Sequence, residues 1–347
     1  MATAHGDCVV GGFLSTDLES LGALTRCQGL EAFDARDFLF IDTETTGLAA
    51  GAGTIAFLIG LAWFEDAALV VRQLFIPGLG REGPALREVA DRIEAAPAIA
   101  SYNGRAFDWR LLSARFIMNR IPPPPVKMHV DLLHAARRIW ARRLGGARLV
   151  QLESMVIGHH RVGDIAGGQI PEVYFDFLAT GDVGRLPDVF THNVLDLVSL
   201  CVVAERLVDG YLAPVERCPP MDALGYAKAA VEREDWQRAH QFAARATGAE
   251  AHQAAPAWRL LAKLARRAHD APGEERALHG VLRTDLPVGV PEAHLALSKF
   301  YEHRAKKMTQ ALGHAQHTLL AEGRPKHARR IARLQRREVM MSLAPPG

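Results

Sequence analysis

Short apolar runs separated by polar residues mark the first part of the chain. Phe38–Ile41 is apolar and rich in β-prone residues, which predicts a buried strand. Thr54–Phe64 is almost entirely apolar, as is typical of a strand buried on both faces. Ala68–Phe75 is rich in Val, Leu and Phe and predicts a third strand.

Helical and extended patterns then alternate. Leu86, Val89 and Ile93 have helical spacing. Further along we expect a strand, a helix, a second strand and a second helix, at Ala98–Tyr102, Trp109–Asn119, Val126–Val130 and Leu132–Arg142. From residue 149 to 208 the pattern is helical, and its last helix begins near Leu186. An antiparallel opening followed by alternating strands and helices predicts an α/β domain with a mixed sheet flanked by helices.

After Met221 the pattern changes to Ala-rich helices, with small residues at helical spacing near Trp236–Ala246 and Ala311–Leu319. Two such helix pairs resemble tetratricopeptide repeats, although no single period fits both. We therefore divide the chain into an N-terminal lead-in (residues 1–29), an α/β domain (30–210) and an all-α repeat-like domain (220–340). Pro214–Pro220 is the expected linker.

Charge is unevenly distributed between these parts. Residues 220–347 hold 21 Lys/Arg against 13 Asp/Glu, whereas the rest holds 20 against 26. In the last helix, Lys326, Arg330, Arg333 and Arg337 form one stripe, joined by Arg329 and Arg336. Such a stripe could follow phosphates or could be an ordinary solvated face, and both interpretations stay open.

Cysteine usage and the N-terminal sequence favour a cytoplasmic protein. Cys8, Cys27, Cys201 and Cys218 are scattered, so neither a zinc motif nor a disulfide framework is expected. The N-terminus lacks a basic segment before an apolar core, so no signal peptide is expected.

Acidic residues follow the predicted strands. Asp42 and Glu44 come directly after Phe38–Ile41 and project from the same face if the strand continues. Two close carboxylates repel each other unless a cation lies between them, and Mg²⁺ or Mn²⁺ suits such oxygen ligands. The alternative is an ordinary polar strand end.

Three later acids, Asp108, Asp131 and Asp196, are further candidates. Asp108 follows the strand at Ala98–Tyr102, where it could simply favour the helix dipole. Asp131 could be a ligand, but an N-cap of the next helix is the favoured interpretation. His192 and Asp196 are four residues apart and therefore share one helix face, where they could be only a surface pair.

Taken in order, these motifs resemble those of the DEDD exonucleases of the ribonuclease H-like superfamily. The segments Asp42–Leu48, Tyr102–Asp108 and Ile170–Tyr174, with Gly181-Asp182 and His192-Asn193, are similar to those of YprB-type ribonuclease H-like proteins. The resemblance covers roughly residues 30–208. It implies a ribonuclease H-like fold and four metal-binding carboxylates: Asp42, Glu44, Asp108 and Asp196.

The resemblance also implies a chemistry. Two divalent cations, Mg²⁺ or Mn²⁺, would support hydrolysis of phosphodiester bonds in single-stranded DNA or RNA, with 3′–5′ exonuclease activity as the expected reaction. It further implies that Thr45, Thr46 and Asn103 contact the nucleotide. A protein partner of the helical domain is a second expected interaction.

His192 is the expected general base, because the unperturbed pKa of histidine lies near neutral pH. Its spacing to Asp196 is that of the tyrosine subgroup of these enzymes, whereas the histidine subgroup has one residue more. Tyr102 and Tyr174 are alternative bases. Other functions stay open: a nucleic-acid- or protein-binding scaffold with a vestigial site, an endonuclease, or a hydrolase of small nucleotides.

Overall fold

A mixed five-stranded sheet is the centre of the first of two units in the computed structural model, which describes residues 4–47, 53–284 and 289–342. The units comprise Met1–Ala213 and Pro214–Gly347. Leu48, at the end of the first acidic segment, lies outside the described residues.

In the part of unit 1 that the structure describes, a hairpin of β1 and β2 precedes the five sheet strands β3 to β7. Their bounds are Ala4–His5, Cys8–Val9, Phe38–Thr45, Ala56–Glu65, Ala68–Phe75, Ala98–Ser101 and His129–Asp131. The helices α1 to α7 span Leu18–Thr25, Gly83–Ala95, Asp108–Met118, Leu132–Leu144, Leu149–Leu152, Ile170–Thr180 and Leu186–Leu212.

The sheet order is β5-β4-β3-β6-β7, in which β3 to β5 are antiparallel neighbours while β6 and β7 run parallel to β3. This mixed topology confirms the predicted fold class. Strand β3 is longer than predicted: Asp42 and Glu44 lie inside it, because β4 pairs with it as far as Thr45. Between Glu44 and Thr45 the register shifts, a β-bulge of the kind that reorients side chains.

The two faces of β3 contact different helices. Leu39 and Ile41 pack in the core with residues of α2 and α3 such as Leu86 and Phe116. Side chains alternate along a strand, so Asp42 and Glu44 point to the opposite face. Helix α7 packs on β3 and β4. Its apolar stretch is long enough to cross a membrane, but 56% of it is buried inside the protein.

Unit 2 is all helical among its described residues. Helices α8 to α15 span Pro220–Glu232, Trp236–Ala246, Ala251–Arg267, Ala271–Leu282, Val290–Phe300, Met308–Ala315, Leu319–Glu322 and Arg324–Ser342. Consecutive helices pack in pairs, with Ala-rich contacts between α8 and α9 and between α10 and α11. The tetratricopeptide character of this unit stays a prediction.

Half of the predicted basic stripe on α15 has acidic partners. Arg333 and Arg337 bind the carboxylate of Glu302, which is completely buried, and Arg330 binds Glu322 at 2.9 Å. These arginines hold α15 against its own unit. Arg330, Arg333 and Arg337 are therefore already paired with acids, and the choice between a phosphate-binding and a solvated face stays a prediction.

Candidate metal centre

Four carboxylates meet where β3, α3 and α7 converge. Asp42 and Glu44 come from the α7-facing side of β3, Asp108 begins α3, and Asp196 lies on α7. Burial is the largest cause that raises the pKa of Asp42 well above its usual value, and the charges of the other three carboxylates raise it further. The structure thus brings together residues that lie far apart in the sequence.

The remaining carboxylates share this environment. Burial raises the pKa of Glu44 to about 7, although His192 acts in the opposite direction. Burial raises the pKa of Asp108 to about 6, while the hydroxyl of Thr43, which donates to its carboxylate, opposes the shift. Burial also raises the pKa of Asp196, against the effect of Arg161. The four buried carboxylates therefore lack enough nearby positive charge to offset their burial and mutual repulsion.

Two of these carboxylates and the imidazole of His192 have metal-ligand spacing. One ligand atom from each of Glu44, His192 and Asp196 lies within 4.8 Å of the other two. Carboxylate oxygens with a single imidazole suit Mn²⁺ or Mg²⁺ better than a thiolate-preferring ion. The donor set and the raised pKa values both fit a divalent cation, which would relieve the repulsion between the acids.

Asn193 fixes the position of Asp42. Its Nδ2 donates to Asp42 Oδ2 at 2.8 Å, and its Oδ1 accepts from Gln73 Nε2 at 2.9 Å. The side chain is fully buried and occupies the space over Gly60, the residue that pairs with Asp42 on β4. A Cβ at Gly60 would lie 2.3 Å from Asn193 Oδ1. The role of Asn193 was not predicted from the sequence.

Asp164 orients His192. His192 Nδ1 lies 2.9 Å from both carboxylate oxygens of Asp164. An ionised carboxylate only accepts hydrogen bonds, so Asp164 favours a proton on Nδ1. Arg161 Nη1, which can only donate, lies 3.2 Å from the same nitrogen and favours a lone pair there. Nε2 lies 3.8 Å from Asp196 Oδ2. Burial alone would raise the pKa of Asp164, but hydrogen bonds from His192 and Arg161 lower it overall.

Arg161 is the buried cation beside the centre. Its guanidinium donates to Asp196, to Glu153 and, at 3.0 Å, to Asp164. The side chain is 3% exposed, and that of Glu153 is fully buried. Glu153 lies in a single π-helical turn and also accepts from Ser199 Oγ at 2.5 Å. This network fixes Oδ1 of Asp196.

Sequence patterns did not reveal Arg161 or Asp164. Both lie in an irregular segment whose sequence has no hydrophobic period. The local signal of a turn was the pair of glycines Gly158 and Gly163, which both have positive φ.

Asp131 caps α4, as predicted. Its Oδ1 accepts from Leu133 N at 3.1 Å and also from Asn103 N at 2.9 Å, and its Oδ2 accepts from Arg105 N at 3.2 Å. Asp131 therefore shapes the turn that leads to Asp108. Within that turn Gly104 has no room for a Cβ, which would lie 2.2 Å from Ser101 Oγ.

The two alternative bases have other contacts. Tyr174 is buried against Phe57, with ring centroids 4.1 Å apart, and its hydroxyl donates to Ile76 O at 2.9 Å. The hydroxyl of Tyr102 donates to Ala147 O at 2.6 Å. Both hydroxyls thus donate to backbone carbonyls, and burial raises the pKa of both phenols.

The residues predicted to contact a nucleotide lie at the end of β3 and in the turns that follow β3 and β6. Thr45 Oγ1 donates to Gly47 O at 2.8 Å, and Thr46 Oγ1 accepts from Ile55 N at 3.0 Å. Both hydroxyls thus fix the start of the β3–β4 loop. Asn103 has a positive φ of 66° and an exposed side chain.

Comparisons with known proteins agree with this topology. Residues 39–208 match the model of the RNase_H superfamily. The chain is 28% identical over 351 residues to the uncharacterized protein YprB of Bacillus subtilis (strain 168), an alignment that covers 93% of this chain and 81% of YprB.

A solved structure also matches. The family B DNA polymerase from the hyperthermophilic archaeon Pyrobaculum calidifontis is similar with a TM-score of 0.40 and 16% identity. The match covers 60% of this chain but only 29% of the polymerase chain.

Proposed function

We propose that this protein, whose residues 39–208 have the ribonuclease H-like fold, is a metal-dependent 3′–5′ exonuclease of single-stranded nucleic acid. The observation that carries the proposal is the convergence of Asp42, Glu44, Asp108 and Asp196 in one buried space with raised pKa values. Such a group is unstable as four anions unless cations join it.

The four carboxylates would hold two divalent ions, Mg²⁺ or Mn²⁺. When bound, such ions lower the pKa of a water molecule and offset the negative charge that develops on a phosphoryl group. The protein's own part is to keep the four acids in place. Asn193 does this for Asp42, Thr43 for Asp108 and Arg161 for Asp196.

His192 serves as the general base in this proposal. In this proposal Asp164 holds the proton on Nδ1, so that Nε2 is the acceptor. Asp164 thereby selects the tautomer and stabilises the imidazolium once the proton has moved, the usual role of a carboxylate behind a catalytic histidine. The exposed side chain of Asn103 and the β3–β4 turn that Thr45 and Thr46 stabilise would contact the nucleotide.

The direction of hydrolysis and the single-stranded substrate are proposed from the resemblance to DEDD exonucleases. A cytoplasmic location fits the four free cysteines, Cys8, Cys27, Cys201 and Cys218. For the helical unit we propose a protein partner, because stacked helix pairs commonly present binding surfaces.

A second candidate is a nucleic-acid- or protein-binding scaffold with a vestigial site. The observation that favours it is the ion pair between Arg161 and Asp196, since one of the four carboxylates already has a cationic partner. In the nuclease proposal the same contact leaves the second oxygen, Asp196 Oδ2, directed toward His192.

The decisive experiment incubates the full chain with 5′-labelled single-stranded DNA and RNA, in Mg²⁺, Mn²⁺ or chelator, beside Asp42→Asn. A ladder that shortens from the 3′ end, and that disappears with chelator and in the variant, supports the proposal. Substrates with blocked 3′ ends separate this activity from an endonuclease. Binding without cleavage under every condition would favour the scaffold instead.

A further inference from the structure

Four histidines gather in unit 2, whereas the carboxylates just described belong to unit 1. His279 lies on α11, His294 on α12, His314 on α13, and His317 just beyond α13. The ring centroids of His294 and His314 are 5.1 Å apart, and those of His294 and His317 are 4.6 Å apart. Neither the predicted sequence motifs nor the proposed nuclease chemistry uses these residues.

The closest contact in this histidine cluster is between two ring nitrogens. His294 Nδ1 and His314 Nδ1 face each other at 2.9 Å. Two N–H groups cannot point at one another, so at least one of these nitrogens presents a lone pair to the other. A single metal ion bound to both at about 2.0–2.1 Å would place them about 2.9–3.4 Å apart, for angles between square and tetrahedral. The observed 2.9 Å is a hydrogen-bond distance and also lies within that range.

Neighbouring side chains hold the pair in place. The ring of Tyr301 stacks on His314 with an interplanar angle of 9°. The hydroxyl of Tyr301 donates to Glu275 at 2.6 Å and lies 3.0 Å from His279 Nε2. Such outer contacts fix ring orientation around metal-binding histidines.

We infer that His294 and His314 bind one late first-row transition-metal ion, such as Zn²⁺ or Cu²⁺, with the exposed His317 as a third ligand after a side-chain rotation. Imidazole nitrogens select these ions over Mg²⁺, which prefers oxygen ligands. The protein would then carry two metal sites of different chemistry, one built from carboxylates and one from imidazoles.

The test uses the full chain after treatment with chelator, and every protein carries His192→Gln to remove the imidazole of the other centre. Zn²⁺ binding is measured by competition with a chromophoric chelator. His294→Gln and His314→Gln should each weaken binding about 10-fold or more. The matched control is His252→Gln, an exposed histidine of the same unit outside the cluster, which should bind like the reference protein.

Equal Zn²⁺ affinity in His294→Gln, His314→Gln and the reference would overturn the proposal. A second measurement needs no substitution within the histidine cluster. One equivalent of Cu²⁺ added to the His192→Gln protein should give an electron paramagnetic resonance spectrum with coupling to at least two imidazole nitrogens. Coupling to one nitrogen or to none would contradict the site.

Discussion

The side chain of Asn193 lies directly against Gly60, and this contact leaves no space for a Cβ at that position. Gly60 pairs with Asp42 across β3 and β4, and Asn193 donates to Asp42. The position of the first acid thus depends on a glycine in the neighbouring strand. A glycine inside a strand often marks such a close approach.

Gly60→Ala should therefore displace Asn193 and with it Asp42. A displacement of about 1 Å at a catalytic group can cost on the order of 10²-fold in rate. We expect a loss of this size in metal-dependent cleavage, measured by single-turnover kinetics. The control is Gly168→Ala, where a Cβ meets nothing within 4 Å. Full activity in Gly60→Ala would show that Asn193 does not position Asp42.

Asp164 and His192 should behave as a unit. If His192 is the base, His192→Ala lowers the cleavage rate by about 10²–10⁴. Asp164→Asn should also lower it, because the charge that stabilises the imidazolium after proton transfer is lost. The double variant should lose little more than His192→Ala does. Additive losses would indicate that the two residues act independently.

Arg161→Met should destabilise unit 1. The change leaves Glu153, which is fully buried, without its cationic partner, and breaking a buried ion pair typically costs about 3–5 kcal/mol. Calorimetry or urea unfolding would measure the effect. Adding Glu153→Gln should restore part of the stability, since the uncompensated charge is then removed. A double variant no more stable than Arg161→Met alone would contradict this account.

Metal binding should depend on pH through the carboxylates. The pKa of Glu44 is raised to about 7 and that of Asp108 to about 6, so without metal the folded protein binds more protons than the unfolded chain. Its stability therefore decreases as the pH rises through this range. Mn²⁺ competes with those protons, so the rise in Tm that it causes should be larger at pH 8 than at pH 5.5.

The same thermal scans on Asp108→Asn provide the control for this pH dependence. The variant removes one repelling charge, so without metal it should lose less stability between pH 5.5 and pH 8 than the unsubstituted protein. It should also gain less from Mn²⁺. A rise in Tm with Mn²⁺ that is independent of pH in both proteins would count against carboxylate ligands.

Glu302→Gln should weaken the attachment of α15. Glu302 is buried and forms ion pairs with Arg333 and Arg337. The side chains of these arginines are 48% and 46% exposed. Because solvent screens half-exposed partners, we expect a loss of only about 1–3 kcal/mol. Limited proteolysis should then cut α15 faster than in the Glu338→Gln control. Equal cleavage rates would show that these ion pairs do not hold the helix.

The sheet was predictable because its strands are apolar and short. Strand β5 has the predicted bounds, and each acidic motif lies on or directly after the element that the sequence indicated. Strand β3 extends past Ile41 because pairing with β4 stabilises polar residues that propensity alone would exclude. Local pattern identifies which residues are buried, whereas pairing decides where a strand ends.

Features that depend on contacts between distant segments were not predictable. Arg161 and Asp164 lie in a loop whose sequence has no period, and they reach the acids only because α7 packs on the sheet. The stripe on α15 looked free because its partner, Glu302, lies in a separate π-helical turn. A helical wheel shows which face a charge is on but not whether an opposite charge faces it.

The acids of the candidate centre come from β3, α3 and α7, which span nearly the whole of unit 1 in chain order. A ribosome produces Asp42 early and Asp196 late, and domains generally fold as units during synthesis. The centre therefore cannot assemble on the nascent chain until α7 has left the exit tunnel. Unit 2 follows α7 in the chain, so the centre can assemble while unit 2 is still being synthesised and the messenger RNA is still being read.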